Sequence, residues 1–166
     1  MEDNKKISGL LLKKAIELNL CQPWQDAWND DFSALMNMYK RGMDFCVEHD
    51  YPSLDILRQY LKGKTEDYNI FIDSDKEIEI YSDTVVVVGD SHLKINIADY
   101  GVLNLYVRHN SKTIIYGGEH SVINVETYDN SVLEVENTCN VNVYQYDNST
   151  ATGESIIIHK RERNAK

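Results

Sequence analysis

The sequence has few cysteines, no long apolar run and no motif of a known catalytic or metal site. Its three cysteines, Cys21, Cys46 and Cys139, are odd in number and widely spaced, which argues against a disulfide framework and against paired zinc motifs. We expect free, mostly buried thiols. The longest apolar runs lie within residues 84–88 and 156–158, far short of the roughly 18 residues that a membrane span requires. No membrane partner is therefore expected.

The N-terminal residues 1–19 alternate charged with apolar side chains and contain no small-residue cleavage site. This pattern predicts a helix rather than a secretion signal, and a cytoplasmic location is the default expectation. The five histidines are scattered without H-x-H, H-E-x-x-H or C-x-x-C spacing, so we expect no metal and no cofactor. The acidic stretch at residues 73–79 lacks the glycine and terminal glutamate of a calcium loop. We expect it to be a solvated edge.

Basic charge is also scarce in the middle of the chain. The formal net charge is −10, and residues 17–149 contain 23 acidic but only 9 basic side chains. Direct binding to nucleic acid is disfavoured, because that affinity comes largely from lysine and arginine on phosphates. A partner protein with a basic surface remains compatible with this charge. The alternative is that the acidic residues only keep the protein soluble.

A repeat dominates the second half of the chain. Ser91, Ser111, Ser131 and Ser149 each follow an aspartate or asparagine, at a constant interval that shortens by two only at the last step. The segments GVLNLYVRHNS from Gly101, SVINVETYDNS from Ser121 and CNVNVYQYDNS from Cys139 align without a gap. Apolar columns result at Leu103, Ile123, Val141 and at Leu105, Val125, Val143, with Asn104, Asn124 and Asn142 between them. Such a period predicts one unit stacked on itself.

Stacking explains these columns because each strand of a solenoid pairs with its own copy one turn later, so like residues superpose. Asparagine side chains can then form ladders, and Asn-Ser suits a corner that recurs at every turn. The shortening of the last interval falls in a corner between Ser131 and Cys139. An antiparallel meander is the alternative, but it does not explain why whole segments match from one copy to the next.

The first half has a different period. Apolar residues recur at helical spacing from residue 5 to about 63, with Asp30 or Asp31 as a candidate N-cap and Gly42 as a break. We therefore predict an α+β protein: a helical domain at residues 1–64 capping a short parallel β-solenoid of about four coils at residues 65–158, then a basic tail at residues 159–166. Trp24, Trp28 and the methionines at 36, 38 and 43 form either a binding surface or the helical core.

Residues 82–158, with interior Leu, Ile and Val and asparagine ladders, resemble the stacked coils of right-handed parallel β-helix proteins. The enzymes of that family, such as polysaccharide lyases, have more coils and a groove lined with catalytic acidic and basic residues, for which this sequence has no corresponding motif. A helical N-terminus joined to a short coil stack also resembles small proteins of phages and bacterial mobile elements.

Two outward columns are expected on one face of the solenoid, Tyr106, Glu126, Tyr144 and, beside it, Arg108, Tyr128, Tyr146. Tyrosine and arginine are enriched where proteins bind one another, so these six residues and Glu134 form the predicted binding surface. The alternative is that tyrosines merely stack in ladders on an exposed sheet. His109, Asp129 and Asp147 form a third column, whose two carboxylates we expect to stay ionised rather than to act in acid–base catalysis.

The leading functional expectation is a non-enzymatic, acidic protein-binding module. One form of it is a phage or mobile-element inhibitor of a basic nucleic-acid-binding protein, of the anti-defence, anti-CRISPR or DNA-mimic type. The first alternative is a structural β-helix protein of a phage particle or a self-assembling filament, and a homo-oligomer is compatible with either. The second alternative is a small enzyme acting in a groove between the two halves.

Overall fold

The computed structural model describes residues 2–136 and 140–163. The chain divides into two compact units, residues 1–61 and residues 62–166. N-terminal helices are followed by a parallel β-solenoid, which confirms the predicted α+β class.

The described residues of the first unit form five α-helices. They are α1 (Glu2–Glu17), α2 (Gln22–Asp26), α3 (Phe32–Arg41), α4 (Met43–Glu48) and α5 (Leu54–Ile56), which continues as a π-helical turn at Leu57–Leu61. Asp31 caps α3, because its carboxylate accepts the Ala34 backbone N–H at 2.8 Å. Gly42 separates α3 from α4, as predicted.

Most of the methionine stripe belongs to the core of this unit. Met36 and Met43 are only 2% and 1% exposed. Trp28 is partly buried and donates its indole N–H to Ser8 Oγ at 3.0 Å, while the Arg41 guanidinium lies 5.9 Å from the ring of Trp24. Of the three predicted buried thiols, Cys46 is buried and Cys21 is exposed, which corrects the expectation for Cys21. Cys139 lies outside the described residues.

Where the structure describes it, the second unit begins with a short 3-10 helix at Glu66–Tyr68 and continues as nine strands. The strands are β1 (Ile70–Ile72), β2 (Asp75–Val88), β3 (His92–Val107), β4 (Lys112–Gly117), β5 (Val122–Thr127), β6 (Val132–Glu136), β7 (Val141–Gln145), β8 (Thr150–Gly153) and β9 (Ile156–Lys160). Every strand pairing in the described part of the chain is parallel. The antiparallel meander is thereby excluded.

The strands form two stacks. Stack A contains the first half of β2, the first half of β3, then β4, β6 and β8. Stack B contains the second halves of β2 and β3, then β5, β7 and β9, with β1 on its N-terminal side. The solenoid thus has about five turns rather than four. The additional turn includes β8 and β9, which lack the full repeat pattern.

The predicted columns superpose residue on residue. Asn104 pairs in register with Asn124, and Asn124 with Asn142. The Asn124 amide donates to Asn104 Oδ1 at 3.4 Å, which begins the expected ladder. Inside the coil, the Leu, Ile and Val side chains of both stacks form one core. Burial of this core stabilises the solenoid, because apolar burial contributes about 25 cal/mol per Å².

The serine column lies at a corner where the chain leaves stack B. Ser111, Ser131 and Ser149 are buried, and each hydroxyl donates to a backbone carbonyl of the preceding turn at 3.1 Å. Each of these carbonyls also accepts a backbone N–H of the same later turn, so the serine hydroxyl adds a second hydrogen bond between successive turns. The repeated serine is therefore a structural element of the corner.

The turn shortens in the corner after β6. Tyr116 pairs with Glu136 at the full interval of the repeat, whereas Ile123 pairs with Val141 at the shortened one. The shortening therefore falls between Glu136 and Val141, an interval that overlaps the one predicted from the spacing, Ser131 to Cys139. The last turn is shorter still, since Val141 pairs with Ile156.

Candidate functional site

The outer face of stack B carries the first predicted column. Tyr106 pairs with Glu126, Glu126 with Tyr144, and Tyr144 with His159. All four side chains are partly exposed. The rings of Tyr144 and His159 stack at 4.9 Å with an interplanar angle of 20°. The strand register therefore brings Tyr106, Glu126 and Tyr144 together on one surface, as the sequence predicts.

The second predicted column is different. Arg108 is 1% exposed and Tyr128 is 4% exposed, so the expectation that both face outward is wrong. The strands of stack B end at Val107 and Thr127, and the alternation of inward and outward side chains ends with them. The residue after each strand already belongs to the corner. Tyr146 occupies the same position one turn later and is half-buried.

Tyr128 has contacts on several sides. Its ring stacks on Tyr146 with centroids 4.6 Å apart, its hydroxyl donates to Glu126, and the Arg163 guanidinium lies 5.1 Å from the ring centroid. Burial, followed by the hydrogen bond to Glu126 and its negative charge, raises the pKa of Tyr128 above its usual value. Tyr128 thus holds the Glu126 carboxylate in place beside the partly exposed rings of Tyr106 and Tyr144.

Glu134 lies apart from the other predicted binding residues. It belongs to β6, where it pairs with Ile114 and Thr152 in stack A, and its side chain is exposed. Stack A has a groove of about 470 Å³ on its outer face. Both acidic and basic side chains line that groove: Asp75, Lys76, Glu77, His92, Lys94, Lys112 and Glu134.

The corner column of His109, Asp129 and Asp147 has a structural role. All three residues have left-handed backbone, with φ of 61°, 60° and 53°. Asp129 accepts the His109 backbone N–H at 2.8 Å, and Asp147 accepts the Asp129 backbone N–H at 2.9 Å. His109 Nδ1 accepts the backbone N–H of Gly89 at 3.1 Å in the same way. Each side chain in the column therefore caps the corner of the turn before it.

Arg163 links the two corner carboxylates. Its Nη2 atom lies 2.6 Å from both Asp129 Oδ1 and Asp147 Oδ2. Burial opposes ionisation of Asp129, but the His109 N–H, Arg163 and Arg108 outweigh it and hold the pKa of Asp129 below its usual value. An ionised, ion-paired Asp129 is suited to holding the corner together, not to proton transfer near neutral pH.

Apolar and amide side chains extend the tyrosine column across stack B. Val102 and Val122 are 42% and 54% exposed and are in register on neighbouring turns. The asparagine ladder lies between them and the tyrosines. We define the stack B face as these ten residues: Val102, Asn104, Tyr106, Val122, Asn124, Glu126, Asn142, Tyr144, Ile157 and His159.

Acidic residues border this face at the corner that precedes it. Asp99 and Glu119 are exposed, and Asp99 Oδ1 accepts the Glu119 backbone N–H at 3.0 Å. Tyr100 and His120 follow them, with rings stacked 4.9 Å apart. An acidic rim therefore lies beside a face whose only carboxylate is that of Glu126.

Sequence reasoning missed part of this arrangement. His159 and Lys160 were assigned to a tail but belong to β9, and Arg161 continues the pairing through its N–H bond to Gln145 O at 2.9 Å. The three consecutive β-branched residues of the run IIIHK were a signal for a further strand. The contacts of Arg163 had no sequence signal, because they depend on how the chain folds back.

Among the described residues, no three His, Cys, Asp or Glu side chains come together as a metal site. The helices of that same part of the chain are too short or too polar to span a membrane. No protein family, curated protein or solved structure matches the sequence or the fold.

Proposed function

We propose that this protein is a non-enzymatic protein-binding module and that the stack B face is its recognition surface. The observation that carries the proposal is the strand register, which places Tyr106, Glu126 and Tyr144 in one column beside exposed Val102 and Val122. Interface centres are enriched in aromatic residues and depleted of charge, with a polar rim. The stack B face and its acidic border have this composition.

The occupant we propose is a protein with a basic rim around an apolar or aromatic patch. The second unit contains 17 acidic and 10 basic residues, and Asp99 and Glu119 border the face. Long-range attraction between opposite charges speeds association, while buried aromatic contacts slow dissociation. We therefore assign the preference for a basic partner to the acidic charge, and slow dissociation of that partner to the tyrosines.

The finer form of the proposal is inhibition of a nucleic-acid-binding protein. A basic nucleic-acid channel is complementary to an acidic protein of this size, and occupying it would exclude phosphate. The net charge and the chain length support this form. A phage or mobile-element origin and a cytoplasmic location belong to the same proposal.

The experiment compares two double variants in affinity capture followed by binding kinetics on the captured protein. Y106A/Y144A removes the two partly exposed rings of the stack B face, and K94A/K112A changes the stack A groove as a matched control. We expect a partner that wild type and K94A/K112A retain and that Y106A/Y144A releases at least about 10-fold faster, as for aromatic anchor residues. Equal retention by both variants would exclude the stack B face.

Salt and charge reversal test the electrostatic part. Raising the ionic strength toward 0.15 M shortens the screening length to about 8 Å, so the association rate should fall. E126K should slow association of the same partner, and E134K, on stack A, should have less effect because that residue lies outside the interface. Association that is indifferent to salt would contradict a basic partner.

A further inference from the structure

The C-terminal end of the solenoid is an open edge in the described part of the chain. There β8 pairs only with β6, and β9 pairs only with β7. An edge strand presents a row of N–H and C=O groups that can pair with another chain. Both stacks end in this way, at Thr150–Gly153 and Ile156–Lys160.

The backbone direction of β9 follows from its bonds to β7. The Val141 N–H bonds to Ser155 O, and the Arg161 N–H bonds to Gln145 O, both at 2.9 Å. Backbone groups alternate sides along a strand, so those of Ile156, Ile158 and Lys160 point away from β7. These three residues offer their N–H and C=O groups at the open edge.

The side chains at this edge continue the apolar core but are incompletely buried. Ile156 continues the inward column of Val141, and Ile158 continues that of Val143. Val143 is fully buried, whereas Ile158 is 39% exposed. One further layer of β-structure over the end would bury Ile158 as Val143 is buried.

The N-terminal end of the solenoid is protected, in contrast. In stack B, β1 adds a buried strand, with Ile70, Phe71 and Ile72 at most 2% exposed. In stack A, Lys76 occupies the position in register with inward Leu93 and forms an ion pair with Glu66. An inward charge is one of the devices that prevent edge pairing. At the C-terminal end the two inward positions Ile156 and Ile158 carry no charge, and the lysine of that strand, Lys160, lies at its last residue, in register with Gln145.

We propose that a second copy of this chain covers the C-terminal end, through antiparallel pairing of β9 with β9 about a two-fold axis at Ile158. In that register Ile158 faces its own copy and Ile156 faces Lys160, so no like charges oppose each other. The backbone N–H and C=O groups of Ile156, Ile158 and Lys160, which point away from β7, then hydrogen-bond across the interface. The Ile158 side chains close the two cores against each other.

This two-fold pairing forms a closed dimer and leaves no free copy of the same surface for further association. A two-fold contact uses the same surface on both copies, whereas head-to-tail stacking would need the N-terminal end, where Lys76 and Glu66 are paired. The product is a dimer and not a filament. The end of the stack measures about 20 Å by 10 Å from strand length and sheet spacing, so the interface is small and we expect weak, reversible association.

The first test is sedimentation velocity of the full chain over the micromolar range. Wild type should show a monomer–dimer equilibrium, and I158K should weaken it by about 100-fold or more, because an unpaired ammonium would be buried at the axis. I157K is the matched control, since Ile157 is in register with outward Asn142 and should leave the equilibrium within a few fold. A wild-type monomer throughout, growth into filaments, or equal effects of the two variants would overturn the proposal.

The second test does not depend on the stability of I158K. In a C21S/C139S background, I158C should form an intermolecular disulfide under mild oxidation, because residues directly opposite across the axis have Cα atoms about 5.5 Å apart. I157C should cross-link far less, and peptide mass spectrometry identifies the linkage. Equal cross-linking at both positions would contradict the two-fold register.

The dimer is independent of the stack B face as a recognition surface, so I158K should still bind the captured partner.

Discussion

The Asp129 carboxylate accepts the backbone N–H of His109, which lies one turn earlier in the solenoid, with an N to Oδ2 distance of 2.8 Å. The bond links two successive corners in the left-handed conformation. Asp147 repeats it on Asp129 at 2.9 Å. A side chain of each turn therefore satisfies a donor that the strand ladder leaves open, which explains why this column contains Asp and His rather than apolar residues.

A substitution series at Asp129 should separate the contributions to this corner. D129A removes the hydrogen-bond acceptor and places an alanine at φ 60°, where its side chain cannot compensate for the backbone strain. We expect the lost hydrogen bond and the strain together to lower the free energy of unfolding by about 2–4 kcal/mol. D129G relieves the strain and should be less destabilising. D129N keeps an acceptor and should cost least. Chemical denaturation measures all three, and equal losses would show that the His109 bond contributes nothing.

The same residue predicts an acid dependence. The pKa of folded Asp129 is below its ordinary value, so its ionisation stabilises the fold above the unfolded-state pKa of about 3.9. That contribution is lost as the pH falls through the folded-state pKa. The difference in unfolding free energy between wild type and D129N should therefore be largest near neutral pH and shrink in acid. A difference that grows as the pH falls would reverse the assigned sign.

Position 123 tests the inward column. Ile123 is 1% exposed and in register with Leu103 and Val141, whereas its neighbour Val122 is 54% exposed. I123D should cost several kcal/mol, because an unpaired carboxylate in the core is among the largest single-site penalties. V122D should change stability by less than about 0.5 kcal/mol. Thermal unfolding of the two variants measures the contrast, and similar melting temperatures would contradict it.

The parallel stack was predictable because its signal is periodic. Superposition of Asn104, Asn124 and Asn142 requires a long and nearly constant repeat interval, and no local turn chemistry imitates that match. The last turn was not counted because the interval shortens again between Val141 and Ile156. A change in corner length removes the alignment even though the strand pairing continues.

The site was predictable only where strand alternation applies. Tyr106, Glu126 and Tyr144 lie within strands, and their outward direction follows from Leu105, Val125 and Val143 facing inward. Arg108 and Tyr128 follow the last residue of a strand, where the backbone turns and the period of two no longer determines side-chain direction. The burial of such residues depends on distant contacts such as that of Arg163 with Tyr128.

Gly89 should not tolerate a side chain. Its φ is +80°, and an added Cβ would lie 2.2 Å from Asp73 Oδ1. Asp73 cannot easily move, since it accepts the Asp90 N–H at 2.9 Å and pairs with Lys62 at 3.0 Å. Gly63 is the matched control, with φ +75° and no atom within 4 Å of the added Cβ.

Both alanine variants carry the left-handed strain of about 1–2 kcal/mol, but only G89A adds the clash. We expect G89A to be less stable than G63A by about 1–3 kcal/mol, the usual cost of overpacking. Urea unfolding with a common m-value measures the difference. Equal stability of the two variants would mean that the Asp73 side chain moves away from the added Cβ with no loss of free energy.

Tyr128 and Tyr51 should limit stability in alkali. Burial is the largest cause that raises the pKa of each phenol above its usual value, so the fold favours their neutral forms. Unfolded tyrosine ionises near pH 10. The contribution of each buried phenol is therefore complete below that pH and is lost as the pH rises above it.

The measurement is a titration of tyrosinate absorbance together with stability at several alkaline pH values. In the wild type, two phenols should ionise only with unfolding, and stability should fall with pH by up to about 1.4 kcal/mol per unit for each. Y128F and Y51F should each remove one late phenol, and the double variant both. Y128F also leaves the Glu126 carboxylate without its phenol donor, so it should lose stability near neutral pH while its alkaline slope becomes shallower. An unchanged slope in Y128F would show that the Tyr128 phenol is accessible in the folded protein.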